Sequence, residues 1–120
     1  YAHKGGHGRV DVVRKLLEQD IGYPKEFVHC HEGWFQDTLP VVAPGLSPVA
    51  LLRLDGDYYA STKVCLDHLV QKVIPGGFII IDDYGVYEGC RRAVDEFLQH
   101  APSMFLHQSN AAIHYLVKAG

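Results

Sequence analysis

An α/β architecture with a largely parallel sheet follows from three features of the sequence. Segments of helical and strand character alternate along it in the order α-β-β-α-β-α-β-β, the pattern of α/β folds. Val49-Ala50-Leu51-Leu52-Arg53-Leu54 and Phe78-Ile79-Ile80-Ile81 are nearly continuous apolar runs, as expected of strands covered on both faces. The last segments, Met104–Gln108 and Ile113–Lys118, flank Ser109-Asn110 and predict an antiparallel hairpin at the carboxy-terminal end.

Each element has its own local signal. Val10, Val13, Leu16 and Leu17 keep the 3.6-residue period before Gly22 and Pro24, which predicts a helix over roughly 9–20. Phe27-Val28-His29-Cys30-His31 reads as a short strand. Trp34 to Leu39 reads as a helical turn closed by Pro40, and Pro44 to Pro48 as a loop. Leu66, Leu69, Val70 and Val73 form a helical stripe over roughly 59–73, after which Pro75-Gly76-Gly77 turns into the strand at Phe78. Ala93, Val94, Phe97 and Leu98 mark a helix over 88–100.

The chain's 120 residues fit one domain, 1–120, with a sizeable core. Eleven basic residues against 14 acidic ones give a net charge of −3, with no basic stripe, which argues against a nucleic acid or an anionic membrane as partner. No apolar run approaches the roughly 20 residues that span a bilayer, and no basic-then-apolar leader is visible. Cys30, Cys65 and Cys90 are too few for a disulfide scaffold and read as core fillers, so a cytoplasmic location is expected. The chain starts at Tyr1 and its one Met is Met104, which predicts a processed product or a piece of something longer.

In open α/β sheets, ligands bind beyond the carboxyl ends of the strands. Asp55 and Asp57 follow the first apolar strand, and Asp82 and Asp83 follow the second. Like charges converging on one sheet edge are costly unless a cation or protons compensate them. Oxygen ligands without Cys or His point to Mg²⁺, with Ca²⁺ or Mn²⁺ as alternatives. Asp55, Asp82 and Asp83 are the expected metal ligands, whereas Asp57 is assigned mainly to capping the helix that follows. A D-x-D pair can also hold a metal–diphosphate, so a metal-dependent glycosyl transferase using Asp55-Gly56-Asp57 is an alternative.

Read together, the segments are more specific. Gly33-Trp34-Phe35-Gln36-Asp37-Thr38-Leu39-Pro40 resembles the G-W-F-x-D-T-L-P signature of the macrocin O-methyltransferase family. The likeness continues through Leu51 to Tyr59 with Ser61-Thr62, through Pro75 to Gly85, and through Cys90-Arg91 with Ala93 to Phe97. Family members are class I enzymes that methylate sugar hydroxyls in antibiotic biosynthesis, with S-adenosylmethionine and Mg²⁺. The resemblance implies that Asp55, Asp82 and Asp83 bind the metal, that Asp55 is also the base, and that Gly33, Trp34, Phe35 and Gln36 surround adenine.

The sequence departs from that family in one respect. The acidic-Gly-x-Gly loop after the first strand, and the acidic residue after the second, have no counterpart here. Lys4-Gly5-Gly6-His7-Gly8-Arg9 follows no strand and reads as a flexible lead-in to a helix. The implied fold is therefore a Rossmann-like sheet lacking the first two strands of the full methyltransferase, with half the cofactor site missing. Such a chain exposes strand edges, which predicts a homo-oligomer formed through them. A small glycoside is the implied substrate. A non-catalytic binding module that keeps the sheet and the metal is the other alternative.

His29 and His31 could share one strand face but have no third ligand nearby in sequence, so an edge-strand pair is expected. His3 and His7 are assigned to a flexible terminus. Arg91 and Arg92 oppose the dipole at a helix start, which predicts an acidic partner for one of them.

Overall fold

A computed structural model describes residues 9–119. The glycine-rich stretch 4–8, His3 and His7 lie outside the described residues. The chain divides into two units, one running to Gly33 and the other from Trp34.

In the first unit, α1 (Val10–Arg14) continues without a break into a wider π-type turn, Lys15–Asp20, so the expected helix forms. Arg14 and Glu18 pair across one helical turn at 3.1 Å. The strand expected at Phe27–His31 is absent. Pro24 instead opens a 3₁₀ turn over Lys25–Phe27, in which the Phe27 and Val28 amides donate to the Pro24 and Lys25 carbonyls. No described strand pairs with this segment, and alternation alone does not hold a chain extended without a ladder partner.

The second unit holds the sheet. Its elements are α2 (Phe35–Val42), β1 (Val49–Leu54), α3 (Tyr59–Leu69), β2 (Val73–Ile81), α4 (Glu88–Gln99), β3 (His107–Gln108) and β4 (His114–Val117). Pro40 lies within α2 rather than ending it, and a 3₁₀ turn at Ala43–Gly45 completes the segment. The sheet order is β1-β2-β4-β3. β1 and β2 run parallel, with Leu54 opposite Ile81, whereas β4 is antiparallel to both β2 and β3. The sheet is therefore mixed, and the carboxy-terminal hairpin is present as expected.

The hairpin turn is longer than Ser109-Asn110. Asn110 Oδ1 accepts from the Ala112 and Ile113 amides at 2.9 and 2.8 Å, and the Ser109 amide donates to Ile113. A short polar side chain thus satisfies the backbone donors that a loop of this length leaves unpaired.

Side chains alternate across the pleat. Ile79, Ile81 and Leu116 are fully buried and share one core with Leu54, Leu66, Leu69, Val70 and Val94. Each such side chain contributes about 1.5–3 kcal/mol by leaving water. The neighbours with opposite parity, Leu51 and Phe78, remain 58% and 47% exposed. The apolar runs are thus buried on one face, not two. Cys65 and Cys90 join the core, and burial pushes the Cys65 thiol up to about 11, so it packs as an apolar group.

Candidate functional site

The parallel pairing of β1 and β2 ends both strands at one level and delivers two acidic loops side by side. The Asp82 amide donates to the Leu54 carbonyl at 3.0 Å, which carries the ladder one step past Ile81. Beyond this point lie Asp55-Gly56-Asp57 on one side and Asp82-Asp83 on the other.

Carboxylate oxygens of Asp55, Asp57 and Asp83 all lie within 4.8 Å of one another, the one such group among the described residues. The cap expected at Asp57 does not form. Asp57 has φ +65°, a left-handed conformation that Asp tolerates better than most residues. Tyr58 takes the N-cap position of α3 without a side-chain capping hydrogen bond, while Ser61 Oγ donates to the Gly56 carbonyl at 2.5 Å. That tight turn aims the Asp57 carboxylate at its neighbours instead of at the helix.

Asp82 lies outside this group. Its Oδ2 accepts from Arg53 Nη2 at 2.9 Å, and the same nitrogen is 3.6 Å from Asp55. The spacing of the aspartates revealed four acidic residues at two strand ends. It did not reveal which three converge, because that depends on the turn at Asp57 and on Arg53.

Asp83 carries the clearest electrostatic sign. Its Oδ2 is sealed from solvent and has no hydrogen-bond partner among the described residues. Burial foremost, then hydrogen bonding to Asp57 and Asp55 and their negative charge, raises its pKa to about 7. A carboxyl group with one oxygen buried and donorless, gathered with two further carboxylates, holds a proton or takes a cation. The all-oxygen donor set suits a hard divalent ion such as Mg²⁺. These residues fit such an ion.

The surroundings are aromatic. Phe35, at the start of α2, lies against Gly56, where a Cβ would sit 3.5 Å from its ring. Tyr58 and Tyr87 meet edge to face with centroids 6.1 Å apart. Of the expected adenine-binding residues, Trp34, Phe35 and Gln36 open α2 and are exposed, and Gly33 ends the first unit with φ +137°. His29 and His31 are exposed and in no strand. Arg92 finds its acidic partner in Glu96 at 4.0 Å and also lies over the Tyr59 ring. No described helix is long and apolar enough to cross a membrane.

An α/β unit whose acidic strand ends gather beside an aromatic helix start has the form of a ligand-binding fold. The chain belongs to the macrocin-O-methyltransferase (TylF) family, which matches residues 10–104. It is 49% identical over 88 residues to a tetracenomycin-C 4'-O-methyltransferase of Streptomyces olivaceus, which acts on 8-demethyl-8-(2,3-dimethoxy-alpha-L-rhamnosyl)-tetracenomycin-C; the match takes in 73% of this chain and 32% of the relative. It is 51% identical over 65 residues to demethyldecarbamoylnovobiocin O-methyltransferase of Streptomyces niveus, covering 54% of this chain and 24% of that one. The structure of the O-methyltransferase NovP superposes with a TM-score of 0.68 at 28% identity, over 97% of this chain and 55% of that one. The chain thus spans about a third or less of the curated relatives it matches. Membership of a methyltransferase family implies S-adenosylmethionine as methyl donor.

Proposed function

We propose that the chain forms part of an S-adenosylmethionine-dependent, Mg²⁺-assisted O-methyltransferase acting on a sugar hydroxyl of a natural product. The single observation that carries this reading is the Asp83 carboxyl, with one oxygen buried and donorless, gathered with Asp55 and Asp57 at the ends of the parallel strands. The relatives' described activities on glycosylated antibiotics support the substrate class.

In this reading Asp55, Asp82 and Asp83, assigned by resemblance, and Asp57, added by its position, are the candidate ligands. A bound divalent ion would hold the sugar oxygen and lower its pKa. Asp55, the most exposed of the group, takes the hydroxyl proton as that oxygen attacks the sulfonium methyl group. Bound S-adenosylmethionine would supply the methyl group, the C–O bond forming as the C–S bond breaks to leave S-adenosylhomocysteine. Phe35, with Trp34 and Gln36, would supply an adenine wall and align donor with acceptor. The sheet is Rossmann-like, with no counterpart of the full fold's first two strands among the described residues, and belongs to a cytoplasmic protein that associates with another copy through strand edges.

The short coverage of the relatives favours one second reading, a module that keeps the cation site without catalysis. Transfer of a labelled methyl group from S-adenosylmethionine to a panel of deoxysugar glycosides separates the two. Label transfer that requires Mg²⁺ and is lost in Asp55→Asn is the expected result. Cation binding without transfer to any acceptor would favour the module.

A further inference from the structure

Arg53 stands where two of the four strand-end aspartates would otherwise meet. On β1 it pairs with Ile80 of β2, so its side chain reaches the carboxylate two residues beyond that partner. One nitrogen, Nη2, lies 2.9 Å from Asp82 Oδ2 and 3.6 Å from Asp55 Oδ2. It bridges the two parallel strands just as they end. Asp82, so engaged, is the one strand-end aspartate outside the group formed by Asp55, Asp57 and Asp83.

A cation held jointly by Asp55 and Asp82 needs the space between them, which the guanidinium nitrogen fills. A cation held by Asp55, Asp57 and Asp83 also takes Asp55, so that nitrogen, 3.6 Å from it, must draw back. Either ligand set includes Asp55, so Arg53 competes with the cation in both. Its side chain is 58% exposed, against 22% for Asp82, so it can swing into solvent at little cost in packing while the carboxylate stays in place.

We propose that Arg53 is a resident counter-cation that holds Asp82 off the aspartate group and is displaced from it when a divalent cation binds, which sets the cation affinity of the site. This rests on the reading of the aspartates as a cation site. Displacement consumes one exposed ion pair, a modest penalty that the bound cation overcomes. Arg53 is thus a positioning residue and touches no substrate.

Calorimetric Mg²⁺ titration of the full chain provides the test, with Arg53→Met, Arg53→Lys, Asp82→Asn and the double variant Arg53→Met/Asp82→Asn, each confirmed as folded by its melting transition. Arg53→Met is expected to bind Mg²⁺ roughly two- to fivefold more tightly, the range set by an exposed ion pair. Arg53→Lys should restore the wild-type affinity, and Asp82→Asn should remove the gain from Arg53→Met. In wild type, the Arg53 Nε–Hε NMR resonance should shift with Mg²⁺ and saturate with the heat. Unchanged or weaker binding by Arg53→Met would overturn the proposal, and so would a gain that survives undiminished beside Asp82→Asn. If neither the wild type nor any variant binds Mg²⁺, the cation-site reading itself fails and takes this proposal with it.

Discussion

Tyr84 donates from its hydroxyl to Asp95 Oδ1 at 2.7 Å, which fastens the loop carrying Asp82 and Asp83 to the middle of α4. The ring also contacts His114 on β4, with centroids 4.5 Å apart, so the loop is held from two elements. Burial foremost, with the Asp95 carboxylate, pushes the phenol up to about 12, and it stays a donor throughout the working range. Tyr84→Phe removes this bond alone. It should cost on the order of 1 kcal/mol in chemical denaturation and weaken Mg²⁺ binding by loosening the Asp83 loop. Unchanged stability and affinity would show that the ring contact suffices.

The next residue is fixed by space. The Gly85 amide donates to the Ala112 carbonyl at 3.0 Å, and a Cβ at Gly85 would fall 1.7 Å from the Ala111 carbonyl oxygen. Backbone cannot yield there without breaking the turn before β4. Gly85→Ala should therefore lower stability by roughly 2 kcal/mol or more, at the upper end for a single substitution. A melting temperature within about 1 °C of wild type, against the several degrees such a loss implies, would contradict the packing of this loop.

Asp83 makes the metal-free chain sensitive to pH in a direction opposite to that of a salt-bridged carboxylate. Its folded pKa of about 7 lies above the roughly 3.9 of an unfolded Asp. Between those values the folded chain keeps a proton that the unfolded chain has lost. Its stabilising contribution is whole below about pH 4 and is lost as the pH rises through about 7. Urea denaturation of wild type and Asp83→Asn in EDTA should show the wild type losing stability relative to the variant between about pH 4 and pH 7. Parallel curves would contradict the raised pKa.

Much of the fold was legible because it is periodic. Val10, Val13, Leu16 and Leu17 announce the first helix, and the runs ending at Leu54 and Ile81 announce the two parallel strands. Phe27–His31 has a strand's composition, but among the described residues no neighbour supplies a ladder, and partners are set by tertiary structure. The fully buried Ile79 and the exposed Phe78 show a second limit. Composition marks a strand as apolar, whereas the elements packed around it decide which face is covered. At the site, the residue types and their strand-end positions were readable, and the grouping was not. Asp57 enters through a left-handed turn, and Asp82 is drawn aside by an arginine two residues before Asp55. The Asp55-Gly56-Asp57 spacing after β1 was the one available signal for Asp57.

The central claim is that the strand-end aspartates form a divalent-cation site, and calorimetric titration of Mg²⁺ into wild type and Asp83→Asn at pH 6 tests it most directly. Asp83 is largely protonated at that pH, so binding should be saturable and should release up to one proton, visible as a heat that varies with the buffer's ionisation enthalpy. Asp83→Asn should lose at least tenfold in affinity and release no proton. Equal affinity in the two proteins, or no binding in either, would contradict the account.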